Sequence, residues 1–332
     1  MKEMYFALMS INLQLFAELN TNVTGDSGLS VENKTYYDMT LIDEAQANLV
    51  HDQFAQKRPI PKNGGKKIEF RKFASLPKAL TPLTEGVTPD GKKLSVTSIE
   101  AEVAQYGDYI VQSDVLELTS IDNTIVEATK ILGRQAGLTL DTITRNIMQS
   151  GTNVYYCPKG DGTAVTSRAG LDATCKLTVD VVNRVVALLK KNNAPKINGD
   201  YVAIIHPLVA YDLMSDERWI EAHKYAQPEN LYNGELGKIG GVRFIESSEA
   251  KVYDNGVFGC LFIADGAYGV TEITGGGLTT IIKQKGSAGT ADPLDQRSSI
   301  GWKAMKTAEI LVEPYMVRVE CKSALSDKAE AN

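Results

Sequence analysis

Apolar side chains recur every three or four residues through the middle of the chain, which is the spacing of one face of an α-helix. The series consists of Ile121, Ile125, Ala128, Leu132, Ala136, Leu140, Ile143 and Ile147. It predicts one helix over residues 121–149, capped by Ser120 and about 43 Å long. Gly133 and Gly137 weaken a helix interior, so they predict a bend or a close backbone contact.

A shorter periodic run comes earlier in the chain. Tyr37, Leu41, Ala45 and Leu49 share a helical spacing, which predicts a helical segment over residues 31–55. Residues 1–30 carry the apolar patch Ile11–Phe16 followed by a stretch rich in Asn, Thr, Gly and Ser, and we interpret them as a flexible N-terminal arm.

Residues 56–107 have the alternating pattern of β-strands. Ile68 and Phe70 alternate with charged residues on the outgoing side, and apolar residues alternate again between Leu94 and Val103 on the return. A shift of phase at Ser98–Ile99 predicts a bulge. The segment between the strands contains three prolines and the turn Thr88–Gly91, so we predict an extended hairpin loop with a solvated tip.

The remaining patterns predict a second lobe, and the fold class is α+β. A helix after Thr178, a buried strand Tyr201–Ile205, helices from Pro207 and from Asp216, and further strands compose this lobe. The predicted division is a first lobe over 108–176, a second lobe over 177–274, returning strands of the first lobe over 275–322, and a disordered tail over 323–332.

The charge distribution makes the hairpin the most informative segment. Residues 56–93 hold ten Lys or Arg against three acids, or +7, on a chain of 332 residues with net charge −6, so the rest of the chain carries −13. A basic hairpin without a core of its own needs an acidic surface, and an identical subunit offers one. The predicted inter-subunit contact residues are Lys62, Lys66, Lys67, Phe70, Arg71, Lys72, Lys92, Lys93 and Val96.

Two other interpretations of this hairpin stay open. The basic side chains suit nucleic acid, although only Phe70 and Phe73 are interleaved with them for base stacking. The hairpin is also consistent with a merely solvated loop, but such a long extension is unusual in a compact domain.

Candidate chemistry is sparse. Of the three histidines, His206 precedes Pro207 at a strand end, so a hydrolase using His206 is a weak alternative to a structural role. Gly275–Gly277 lacks the residues of a phosphate loop, and no metal-binding motif occurs. The four cysteines contain no C-x-x-C pair and suit reduced thiols. We expect no enzyme activity, no cofactor and no metal.

Membrane and secretion signals are also weak. The apolar stretch at the N-terminus is interrupted by Asn12 and Gln14 and lacks a small-x-small cleavage site, so we do not expect secretion. No apolar run reaches the length of a membrane-spanning helix, and we expect no membrane partner.

Several segments, in this order, resemble the major capsid proteins of tailed bacteriophages with the Hong Kong ninety-seven-type fold. The resemblance covers nearly the whole chain from about Ser30 to Glu320. The segments that carry it are Asn48–Phe54, Lys67–Phe73, Pro82–Gly91, Gln105–Asp108, Leu140–Asn146, Ala203–Pro207, Gly289–Arg297 and Gly301–Lys303.

The resemblance implies a shell of hexamers and pentamers around packaged double-stranded DNA, without sequence-specific contact, assembled with scaffold and portal proteins. It implies location in the virion after synthesis in the host cytoplasm. It assigns 56–107 to an extended loop lapping a neighbour, 121–149 to the spine helix of a peripheral lobe, and 177–274 to an axial lobe. Some relatives crosslink a loop lysine, but nothing here identifies the acceptor Asn. A nanocompartment shell enclosing a cargo enzyme is the alternative.

Overall fold

The computed structural model describes residues 41–45, 49–73, 76–83, 85–88, 90–119, 124–224, 236–287 and 292–332. The predicted arm over 1–30 and residues 31–40 lie outside this set. The helices are α1 (41–45), α2 (Asp114–Thr119), α3 (Thr124–Gln149), α4 (Val179–Lys191), α5 (Pro207–Met214) and α6 (Glu217–Lys224).

Fourteen strands are described. They are β1 (Gln56–Lys57), β2 (Lys67–Phe73), β3 (Val96–Glu102), β4 (Ala104–Ser113), β5 (Val154–Tyr156), β6 (Tyr201–Ile205), β7 (Lys238–Ile239), β8 (Val242–Glu246), β9 (Val252–Tyr253), β10 (Val257–Ile263), β11 (Tyr268–Thr271), β12 (Thr279–Lys283), β13 (Arg297–Ile310) and β14 (Met316–Cys321).

A five-stranded sheet is built around β13, which is the longest described strand. Strands β11 and β12 pair with β13, β1 extends the sheet beyond β11, and β4 pairs with β13 over its whole length. Helix α3 lies across this sheet. Its Leu132, Ala136 and Leu140 pack in one buried cluster with Ile300 and Trp302 of β13, which explains the apolar period of the helix.

The two glycines of α3 mark a close backbone contact. A Cβ added at Gly133 would lie 2.9 Å from the carbonyl oxygen of Leu41, and one added at Gly137 would lie 2.5 Å from that of Ala45. Helix α1 therefore crosses α3 where only glycine leaves room. The sequence-based expectation of close packing is confirmed. The predicted start at Ile121 lies outside the described residues.

A buried polar network continues this contact along α3. The imidazole Nδ1 of His51 is 2.6 Å from Asp141 Oδ2, and the backbone N–H of His51 donates to Asp141 Oδ1 at 2.7 Å. One turn further, the Thr144 hydroxyl donates to Asp52 at 2.6 Å, and the ammonium of Lys306 on β13 pairs with the same carboxylate. The network ties the segment after α1 to both α3 and the sheet.

A seven-stranded sheet forms the second lobe, in the order β5-β14-β10-β6-β8-β7, with β9 beside β10. Helix α4 packs on it through Val181, Val185 and Leu189, and α5 through Val209 and Leu213, all in one buried core. This sheet includes β5 and β14, which the sequence predicts in the first lobe, and excludes β11, which the sequence predicts in the second. The predicted division into lobes followed the order of segments along the chain, and it is wrong here because each sheet is assembled from segments that are far apart in the sequence.

The hairpin strands β2 and β3 pair antiparallel without interruption, from Lys67 opposite Glu102 to Phe73 opposite Val96. The predicted bulge at Ser98–Ile99 is wrong. The apolar residues change phase because Val96 faces the opposite side of the ribbon from Ile99, since successive side chains alternate between the two faces.

The predicted disordered tail is also wrong. Ser323 is buried, and its hydroxyl donates to the Leu208 carbonyl at 2.9 Å. At the far end, the Asn332 side chain accepts from the Val252 N–H at 2.9 Å and donates to the Ala250 carbonyl at 3.3 Å. The polar composition of this segment reflects hydrogen bonds to the second lobe.

We predict that Gly137→Ala destabilises the chain by about 1–3 kcal/mol because the new methyl group collides with the Ala45 carbonyl. On an open helix face the same change stabilises by up to about 1 kcal/mol, so the sign of the effect is diagnostic. Chemical unfolding measures it. Thr139→Ala, on the half-exposed face of α3, is the matched control; a Gly137→Ala protein that is more stable than wild type contradicts the packing.

We further predict that Lys306→Met costs about 3 kcal/mol because it leaves the Asp52 carboxylate, only 14% exposed, without its cation. The double variant Lys306→Met with Asp52→Leu should be more stable than the single variant, since the uncompensated charge is gone. Lys303→Met, exposed on the same strand, is the control. Unfolding curves that place the single and control variants at equal stability would refute this role.

Candidate assembly interface

The base of the hairpin is anchored in its own chain. Phe70 is only 4% exposed, and its ring closes on the backbone of β11, where a Cβ added at Gly269 would lie 3.2 Å from it. The guanidinium of Arg58 lies 5.8 Å from the ring centroid. Phe70 was predicted to contact a neighbouring subunit, but burial against its own sheet makes it an internal anchor.

The outer face of the ribbon carries charge in pairs. Lys67 is 3.6 Å from Glu100 across the strands, and Arg71 is 3.1 Å from Glu69 on the same strand. The hydrogen bond from Arg71 lowers the pKa of the Glu69 carboxyl below its usual value. These pairs are exposed, so each contributes little to stability. Val96 lies exposed on this same face.

Four further basic residues of the predicted contact set are exposed, two before β2 and two before β3. Lys62 and Lys66 are exposed below the strands, and Lys92 and Lys93 are exposed where the chain returns from the tip. Within the described residues, none of these four forms an ion pair. Lys72 lies in β2, and its side chain is outside the described set. The basic residues therefore follow the ribbon without converging on one point.

The sequence-based prediction missed the apolar character of the tip. Residues 76–95 contain no described strand, yet five large apolar side chains there are more than half exposed. They are Leu76, Leu80, Leu83, Val87 and Leu94. Their spacing among prolines is visible in the sequence, but it fits neither a helix nor a strand, so the sequence predicts a solvated tip and assigns its docking to charged residues. An exposed group of this size is typical of an interaction site.

A second exposed apolar surface lies where β4 leads into α2. We call it the β4–α2 surface; it consists of Tyr109, Val111, Val115, Leu116 and Leu118. Among the described strands, β4 pairs only with β13, so its other edge is open. The Asp108 carboxylate at this edge accepts a hydrogen bond from Gln135 at 2.6 Å, which lowers the pKa of Asp108, and it accepts another from the Tyr109 N–H.

His206 has a structural position. Its Nδ1 accepts a hydrogen bond from the Leu208 N–H at 3.1 Å and so caps the start of α5. Its ring lies 5.0 Å from that of Phe258, and burial lowers the pKa of the imidazole. Since the capping bond occupies one ring nitrogen, this geometry favours the structural interpretation over the hydrolase alternative.

The cysteines are free and buried, as the sequence indicated. Contact with the Cys321 thiol and burial raise the pKa of the Cys260 thiol, which disfavours the reactive thiolate. No cluster of three or more His, Cys, Asp or Glu side chains suited to a metal occurs within the part of the chain that the structure describes. No described helix is both long and apolar enough to span a membrane.

The two sheets, the long helix and the projecting hairpin define a shell-forming protein with the Hong Kong ninety-seven-type phage capsid fold. The chain belongs to the phage capsid protein family, whose profile matches residues 22–271. It is a major capsid protein, and its family and fold are those of a structural protein. No curated protein matches the sequence.

Solved structures share this fold at low identity. The capsid of cyanophage Pam1 has a TM-score of 0.66 at 12% identity, covering 85% of this chain and 92% of that one. The capsid of cyanophage P-SCSP1u has a TM-score of 0.64 at 14% identity, covering 81% and 87%. A virus-like particle from Pyrococcus furiosus has a TM-score of 0.51 at 12% identity, covering 87% and 99%.

We predict that His206→Ala lowers stability by about 1 kcal/mol through loss of the helix cap. His206→Asn keeps a capping acceptor and should remain close to wild type. Thermal unfolding measures both variants, and electron microscopy should find the same particles for both. Equal stability of His206→Ala and wild type would contradict the capping role.

Proposed function

We propose that the chain forms hexamers and pentamers that close into an icosahedral phage head, and that the hairpin is the arm by which each subunit holds its neighbour. The virion is the site of function, after synthesis in the host cytoplasm. Double-stranded DNA fills the shell without sequence-specific contact, and scaffold and portal proteins take part in assembly. The family match and the capsid folds support this proposal.

One observation carries the role of the hairpin: its base is fixed while its tip exposes charge and apolar surface. Phe70 holds the strands on the subunit's own sheet, whereas the lysines and leucines beyond Phe73 lack cover from the described chain. Such an arrangement suits a head-to-tail contact, in which one subunit offers the arm and the next offers its receiver. When this contact is repeated from subunit to subunit around a rotation axis, it closes a ring.

Charge and apolar surface have different roles in this contact. Opposite charges steer the arm and select its register, and salt screens exposed pairs beyond about 8–10 Å at physiological ionic strength. Apolar burial is not screened in this way and supplies about 25 cal/mol for each Å² removed from water. We therefore assign orientation to the lysines and most of the affinity to the tip leucines.

The nanocompartment shell remains the second candidate, supported by the fold similarity to the Pyrococcus furiosus virus-like particle, at the lower TM-score of 0.51. The two functions differ in what the shell encloses. Particles purified from the natural source that contain double-stranded DNA support the phage head, whereas particles that contain a cargo enzyme support the nanocompartment.

We predict that charge reversal of Lys66, Lys67, Lys92 and Lys93 to Glu blocks or misdirects assembly, because the arm then repels an acidic receiver. Sedimentation and negative-stain microscopy measure the fraction in closed particles. Reversal of four exposed lysines elsewhere, Lys190, Lys191, Lys283 and Lys328, is the matched control. Normal shells from the hairpin variant would overturn the role of charge in docking.

A further inference from the structure

The distribution of charged residues along the chain indicates which surface receives the hairpin. Residues 94–129, which follow the basic hairpin directly, contain seven acids and no Lys or Arg, or −7. The acids are Glu100, Glu102, Asp108, Asp114, Glu117, Asp122 and Glu127. The +7 of residues 56–93 is thus matched by −7 in the next segment of the chain.

This acidic segment contains the β4–α2 surface. Tyr109 is 68% exposed and Leu118 is 81% exposed, and Val115 lies between them along the chain at 62%. Tyr109 and Val111 are two residues apart on β4, so their side chains leave the same face of the strand. The surface therefore combines apolar side chains with an excess of negative charge.

Two carboxylates near this surface accept hydrogen bonds from uncharged donors. Asp108 accepts from the uncharged Gln135 side chain and from the Tyr109 N–H, and Asp114 accepts from the Val115 N–H at 2.8 Å. These donors carry no charge, so they do not form ion pairs with the carboxylates. By contrast, Glu100 and Glu127 are paired with Lys67 and Lys130. Within the described chain Asp108 and Asp114 form no ion pair. Asp108 leaves β4 on the face opposite to Tyr109, so a segment that docks along the open edge of β4 reaches both side chains.

Within one copy, the hairpin tip does not cover the β4–α2 surface. Leu80 in the tip is 83% exposed while Leu118 is 81% exposed, so the two apolar groups are both uncovered in one copy. The hairpin base is meanwhile held at Gly269 by Phe70. Each copy therefore carries an unmatched basic apolar arm and an unmatched acidic apolar surface, which is what a heterologous ring contact requires.

We propose that the β4–α2 surface of one copy is the receiver for the hairpin tip of the next copy. Lys92 and Lys93 face Asp108 and Asp114, and the tip leucines cover Tyr109 and Leu118. The open edge of β4 offers backbone groups to the incoming segment, as exposed sheet edges do for extended peptides. This inference rests on the proposed function, in which the hairpin docks on a neighbouring subunit.

A charge swap in the full chain tests the pairing. We expect Lys92→Glu with Lys93→Glu to lose closed particles, and Asp108→Lys with Asp114→Lys to lose them as well. The quadruple variant, which restores opposite charges, should regain them. Asp327→Lys with Glu330→Lys, in the exposed C-terminal segment, is the control for acid reversal and should assemble normally. Circular dichroism checks that each variant is folded.

The outcomes separate the inference from the proposed function. If hairpin reversal blocks assembly but reversal at Asp108 and Asp114 does not, the receiver is wrong and arm docking stands. If the lysine reversal and the aspartate reversal each block assembly and the quadruple variant also stays unassembled, the two segments do not pair, and the inference is overturned. If charge reversal in the hairpin leaves normal shells, the proposed role of charge in hairpin docking is contradicted, whichever surface receives the hairpin.

Photo-crosslinking keeps the test decisive if a reversed variant does not fold. A benzophenone amino acid at Leu83, in an otherwise native chain, should give a crosslinked dimer in assembled particles. Peptide mapping by mass spectrometry should locate the attachment within residues 104–119. Attachment to another region of the neighbouring copy, or the absence of any dimer in closed particles, overturns the proposed receiver.

Discussion

The packing of α3 against β13 is the constraint on which the rest of the structure depends. The helix lies over the longest strand. Helix α1 packs on α3 at Gly133 and Gly137, and the segment after α1 is held to the helix and the sheet through the carboxylates of Asp141 and Asp52. Because Lys306 rises from β13 to meet Asp52, the sheet, the helix and the incoming chain are held by one desolvated network. Buried charges of this kind tolerate only a narrow geometry, since an unpaired member is costly.

The frame formed by α3 and its sheet also fixes the base of the hairpin. Strand β1 joins the sheet at β11, β3 leads directly into β4 of the same sheet, and Phe70 fixes the ribbon base. The tip beyond it has little internal support, so its conformation depends on what it binds. A fixed base with an open tip separates two tasks in the proposed assembly: the fold of the subunit depends on α3 and its sheet, while association depends on surfaces that contribute little to the isolated chain.

The sequence predicted some elements well for a physical reason. The long helix was visible because one face is buried and the other is solvated, which imposes a period on the residues from Ala128 to Met148. The hairpin was visible from alternation and turn residues. The bulge, the tail and the role of Phe70 were missed because each depends on a remote partner: Ser323 bonds to Leu208, and Phe70 closes on Gly269. No local pattern records such partners.

The sequence by itself determined the class of the protein: the order of helix, strand and turn patterns, the reversal of charge along the chain and the family segments. Only the tertiary structure decided which strands share a sheet, which apolar residues are anchors and which are exposed. β5 and β14 are far apart in the chain yet pair side by side, whereas the apolar residues of β4 and α2 lie next to a buried core and stay uncovered. The physical reason is that burial depends on contacts between distant segments, whereas periodicity depends only on neighbours along the chain.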